Sequence, residues 1–99
     1  MPPTTGSRIG EGTVALRRGD WEDARAAFSA ALEAEPSGAA WEGLGWAAWW
    51  LSDEATTLRA REAAYRAHRA EGDDAAAEAM LPRVLLSVNA IASGLRTTG

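Results

Sequence analysis

Four of the five tryptophans fall between Trp41 and Trp50, and this stretch constrains the fold more than any other. Read as one α-helix at 100° per residue, it puts Trp41, Leu44, Gly45 and Ala48 on one face. Trp46 and Trp50 then lie nearly opposite, with Trp49 between the two. No face is free of large apolar groups, so the helix has to be covered on several sides, by other helices of the chain, a second chain or a ligand.

A chain of 99 residues makes one domain and buries roughly 60 to 70% of the surface exposed when unfolded. With no cysteine, apolar packing alone must hold it, which fits a reducing cytoplasm. The opening Met-Pro-Pro-Thr-Thr-Gly-Ser-Arg lacks the charged leader and apolar run of a secretory signal. Met80 to Leu95 is nearly apolar but short for a bilayer and holds Pro82, Arg83 and Asn89, so no membrane partner is expected. All ten basic residues are arginine and alanine supplies about a quarter of the chain, a bias typical of GC-rich bacterial genomes. A formal charge of -4 disfavours direct nucleic-acid binding.

Residues 1–7 read as a disordered N-terminus and 8–99 as a single helical domain. A first helix over Arg8 to Arg18 has sparse apolar positions and carries Gly10 and Gly12, each costing about 1 kcal/mol relative to alanine. Gly19 stops it. Asp20 is placed to cap a second helix whose stripe is Trp21, Ala24, Ala27, Phe28, Ala31 and Leu32, and Pro36 ends that helix. Ser37 caps the Trp-rich helix, which runs to about Leu51, with Gly45 permitting close approach of the second and third helices. Ser52 and Asp53 form the turn or cap before a fourth helix, Glu54 to Glu71. Gly72 stops it, and Asp73 or Asp74 caps a fifth that either kinks at Pro82 or gives way to a sixth. Leu81, Val84, Leu85, Val88, Ile91, Ala92 and Leu95 then form an amphipathic stripe, with an extended strand as the minor alternative.

Gly19-Asp20-Trp21-Glu22-Asp23-Ala24, followed by Phe28, Ala31 and Pro36, resembles the second half of a tetratricopeptide repeat. Trp41, Leu44, Gly45 and Ala48 resemble the first half of the next, and Asp20 and Asp53 lie 33 apart, near the family's period. Arg61 falls where the core aromatic Phe28 would recur. Ala15-Leu16-Arg17-Arg18-Gly19-Asp20-Trp21, the run from Gly45 to Leu51 and the later Tyr65 to Asp73 also resemble helical-repeat segments of large LuxR-type bacterial transcription regulators. In those a separate helix-turn-helix reads DNA, and none is visible here. The resemblance implies an all-α fold of antiparallel helix pairs, a short right-handed solenoid of about two and a half repeats, with the first helix of each pair lining the concave face. Residues after about Ala79 match neither pattern, and 82–96 is expected to form a terminal capping helix.

No reaction is legible. His68 has no partner nucleophile in a recognisable context and reads as a surface or packing residue. Asp73, Asp74 and Glu78 lack the alternating spacing of a Ca²⁺ loop and suit helix capping, so no metal is expected. No glycine-rich phosphate loop follows a strand, and neither cofactor nor enzyme activity is implied. Arg59, Arg61, Arg66 and Arg69, interspersed with Glu54, Glu62 and Glu71, read as a solvated face. The expected function is non-catalytic: a protein-interaction module binding a peptide or partner helix on the concave face, with Trp46, Trp49 and Trp50 as apolar anchors and Glu42 at the edge for polar selection. Burial of these indoles by neighbouring helices is the competing account. A small-molecule sensor pocket walled by the same indoles and a self-associating structural unit are the alternatives, the latter as a homodimer through Leu81, Val84, Leu85, Val88 and Ile91.

Overall fold

The computed structural model describes residues 5–97 and, for side chains, residues 6–93. Five helices follow one another: α1 (Thr5–Arg18), α2 (Trp21–Ala34), α3 (Gly38–Trp50), α4 (Glu54–Ala70) and α5 (Asp74–Thr97), with no strand among the described residues. Helix α1 takes in Thr5 to Ser7, which the sequence assigns to the irregular N-terminus. Helix α5 runs unbroken through Pro82, so no sixth helix forms. The proline deprives the Glu78 carbonyl of its amide partner, and both residues are exposed, where water can replace it.

The turns are built from specific chemistry. After α1, α3 and α4 the chain enters the left-handed region at Gly19 (φ 78°), Ser52 (φ 59°) and Gly72 (φ 80°). Each end closes with the same pair of bonds: Gly19 N to Leu16 O and Asp20 N to Ala15 O, Ser52 N to Trp49 O and Asp53 N to Ala48 O, Gly72 N to Arg69 O and Asp73 N to His68 O. The next helix starts on a side-chain cap in three cases. Ser37 Oγ accepts from Ala40 N, Asp53 Oδ1 from Thr56 N and Asp73 Oδ1 from Ala76 N, at 3.1 to 3.2 Å. Asp20 occupies the cap position of α2, but its side chain makes no cap hydrogen bond.

Connections of two or three residues turn each helix back along its predecessor. Packing runs between neighbours, α1 on α2, α2 on α3, α3 on α4 and α4 on α5, with α3 also touching α1. Helix α3 thus packs its backbone against three helices, as its lack of a polar face requires, and Arg83 of α5 reaches it through its side chain.

The core is small-sided, with Phe28 set among Ala15, Ala24, Leu44, Ala47 and Ala60, and with Ile9, Leu16, Leu32 and Trp41 packed against it. Phe28 is 2% exposed. Its ring fills slots left by two glycines: a methyl group at Gly12 would stand 2.7 Å from ring carbons, and one at Gly43 would overlap the ring. The glycine that looks costly in α1 is thus a packing requirement. Gly45 also marks a close crossing, but with α4 rather than α2, since a methyl group there would lie 3.2 Å from Arg61 Cγ and 3.8 Å from Ala60 Cβ.

The amphipathic stripe expected of the last helix divides. Ala77, Met80 and Ser87 are buried and Val84 and Ile91 half-buried, while Leu81, Leu85, Leu86 and Val88 are 44 to 61% exposed. Leu95 lies outside the described side chains. Helix α5 thus covers α4 without burying its own leucines.

Phe28→Ala should cost about 3 to 5 kcal/mol, because two glycine slots and an alanine shell cannot collapse onto the void. Urea melts check this, and a loss below about 1 kcal/mol would contradict the arrangement. Asp53 gives a pH signature. Hydrogen bonding from Thr56, and less strongly the charge of Arg25 3.2 Å away, hold its carboxyl below the ordinary aspartate value. A carboxyl depressed by folding contributes stability that is complete above the unfolded value of about 3.9 and is lost as pH falls through the folded one. Asp53→Asn keeps a capping oxygen but does not titrate, so its urea midpoint should fall less than the parent's between pH 5 and pH 3.

Candidate functional site

Helix α3 presents Glu42, Trp46 and Trp49 at spacings of four and three toward α4 and α5, and what they meet is mostly arginine. The Arg61 guanidinium lies over both indoles, 5.2 Å from the Trp46 ring centroid and 5.0 Å from that of Trp49. Arg61 is 2% exposed, which overturns its assignment to a solvated face; Arg59, Arg66 and Arg69 are exposed as that assignment requires. Its Nη1 donates to Ser87 Oγ (2.9 Å) and to Arg83 O (3.0 Å), and Ser87 Oγ also donates to Arg83 O. Among the described residues no carboxylate pairs with Arg61. The charge is held by two π faces and two oxygen dipoles instead. Burial first, and the nearby Arg83 charge second, pull its pKa below the ordinary guanidinium value.

Glu42 joins three helices. One oxygen lies 3.1 Å from His68 Nε2 on α4, the other 3.1 Å from Arg83 Nη1 on α5. Since an ionised carboxylate can only accept, Nε2 carries the shared hydrogen. The opposite ring nitrogen, Nδ1, is buried and has no hydrogen-bond partner among the described residues, with Glu71 Oε1 3.7 Å away. Glu71 Oε2 in turn accepts from Gly38 N at 2.8 Å. His68 fits because position 38 is glycine: a methyl group there would overlap the imidazole. Arg83 also lies over Trp46, 5.0 Å from its centroid.

Beside this network a cleft of about 270 Å³ opens between α1 and α3, with Ile9, Thr13 and Leu16 on one wall, Glu42 and Trp46 on the other and His68 at the α4 side. Of the four residues expected at a binding site, Glu42 and Trp46 line this cleft. Trp49 faces Arg61. Trp50 is elsewhere, stacked on Trp21 with ring centroids 5.0 Å apart and planes within 10°, and 54% exposed.

Arg61, Arg83 and His68 are the participants that the sequence pattern does not reveal. A signal for Arg61 is nevertheless present. It stands 33 residues after Phe28, and Gly45 stands 33 after Gly12. The guanidinium stem therefore packs on its glycine as the phenyl ring packs on its own. Among the described residues no group of three His, Asp or Glu side chains is arranged to hold a metal ion.

No family model matches the chain, and comparison with curated proteins and with solved structures finds no match.

Arg61 separates shape from charge. Arg61→Ala removes the stem that packs on Gly45 and the guanidinium that lies over two indoles, leaving a void in the core, and should cost about 3 to 5 kcal/mol. Arg61→Met fills similar volume without a desolvated charge and should cost less than half as much. Chemical denaturation of the two variants gives the comparison, and equal losses would mean that the charge is essential.

Proposed function

We propose that this chain is a non-catalytic interaction module of tetratricopeptide-like architecture, and that the α1–α3 cleft receives an apolar side chain from a peptide or helix of a partner protein. The carrying observation is the cleft itself, where Ile9, Leu16 and Trp46 supply apolar walls and Glu42 and His68 a polar rim. That combination of an anchor pocket and a few fixed polar groups suits side-chain recognition. Glu42 is already oriented by Arg83 and His68, so selecting a polar group on the partner would require little further ordering.

A 33-residue recurrence of burial supports the repeat architecture. Gly12, Ala15, Ala24, Phe28 and Ala31 are buried, and so are Gly45, Ala48, Thr57, Arg61 and Ala64 at the corresponding places. Helices α1 and α3 also end on the same two hydrogen bonds, at residues 33 apart. In this reading α1, α3 and α5 are the first helices of successive units. The resemblance to LuxR-type regulators extends the proposal to a cytoplasmic bacterial module in transcription regulation, with DNA reading left to a separate segment.

Selection of a displayed random-peptide library on the intact chain tests the proposal. Selected peptides should carry an apolar anchor, and Thr13→Arg, which fills the cleft but leaves Trp46 and Arg61 untouched, should weaken them at least tenfold, about 1.4 kcal/mol. Peptides that bind the Thr13→Arg variant unchanged would refute the assignment of the cleft.

A further inference from the structure

Helix α5 is turned inside out. Its buried side carries Ser87, which bonds Arg61, and Arg83, which reaches Glu42, together with Ala77 and Met80. Its outward side carries Leu81, Leu85, Leu86 and Val88. Four of the six large apolar residues most exposed in the described structure lie on this one helix. An amphipathic helix that needed only α4 as its neighbour would show the opposite pattern.

The 33-residue recurrence identifies what is missing. Gly12 and Ala15 on α1 pack against α2, and Gly45 and Ala48 on α3 are buried beside α4. The next members of the series, Glu78 and Leu81 on α5, are exposed. Where α1 and α3 each have an antiparallel helix on this side, α5 has none among the described residues.

We propose that the vacant side of α5 is filled by α5 of a second copy of this chain, in a two-fold antiparallel contact along Leu81, Leu85, Val88 and Ala92. Two observations favour a second copy. The spacing of four, three and four is that of a helix–helix seam, which places one apolar residue in each turn toward the partner. The face is uncharged: between Glu78 and Arg96 the only ionisable residue is Arg83, and its guanidinium is drawn to Glu42 and Trp46. Two copies therefore meet without like-charge repulsion, and a two-fold axis supplies the antiparallel direction that the fold uses internally. Val84 and Ile91, half-buried in the monomer, flank the seam. Leu86 is offset from it.

A bilayer is the competing occupant, since Asp74–Ser93 is long and apolar enough to cross a membrane by length and composition. Insertion would have to break the Arg61–Ser87 and Arg83–Glu42 contacts and carry Arg83 into hydrocarbon, which costs several kcal/mol. Self-association keeps both contacts.

Light scattering on the intact chain provides the test. A mass of twice 10.4 kDa is expected, falling to the monomer value in Leu85→Asp, with helical circular dichroism retained because Leu85 is 61% exposed. Leu86→Asp, beside the seam, should keep the dimer mass. The proposal is overturned by a monomer that persists at about 100 μM, a hundredfold above a micromolar dissociation constant. It is equally overturned by a dimer that survives Leu85→Asp, by loss of the dimer in Leu86→Asp, or by co-sedimentation of the intact chain with phosphatidylcholine vesicles.

Discussion

A guanidinium withdrawn from water must be compensated by whatever surrounds it, and in this protein that requirement organises half of the molecule. Arg61 finds no carboxylate among the described residues, so indole faces and neutral oxygens take that role. Trp46 and Trp49 must therefore turn toward α4, and α5 must offer Ser87 and a carbonyl on its inner side. Once those polar groups face inward, the 3.6-residue period of the helix carries the leucines of α5 outward. The exposed ridge is a geometric result of the buried charge on the neighbouring helix.

The other half is organised by the absence of side chains. Alanine and glycine at the crossings bring helices close, and the few large groups then need places made for them. Phe28 sits over Gly12 and Gly43, the Arg61 stem over Gly45, and the His68 ring over Gly38. Each glycine costs helix propensity locally, and packing across the interface offsets it. Such a core tolerates little change of volume at a glycine and little loss at the ring opposite.

Much of the fold is legible from local chemistry. The stops at Gly19 and Gly72, the caps at Ser37 and Asp53 and the terminating Pro36 act through their own backbone, and these boundaries appear within a residue or two of where the sequence puts them. The five helices follow from them. Less legible is anything decided by a partner far along the chain. Asp20 looks like a cap equal to Asp53, yet only Asp53 accepts the amide hydrogen bond. Arg61 carries a surface residue's composition signal at a core residue's position in the 33-residue period, and the period is the better guide. The indoles at 46, 49 and 50 are close in sequence, but Trp46 and Trp49 share Arg61 while Trp50 stacks on Trp21. A helical wheel gives direction and not what lies there, so it could not separate Trp50 on Trp21 from Trp49 on Arg61.

The turn between α3 and α4 places a serine in the left-handed region, where Gly19 and Gly72 do the same work without a β-carbon. A side chain in that conformation raises the energy by an amount on the order of 1 kcal/mol. Among the described residues Ser52 makes a backbone bond to Trp49 O and no side-chain hydrogen bond that would offset this. The joint between the two central helices is thus the least relaxed of the three, and it lies where the indole-bearing helix hands over to the helix that carries the buried arginine. A glycine at position 52 would relieve that strain, as Gly19 and Gly72 do at the neighbouring corners.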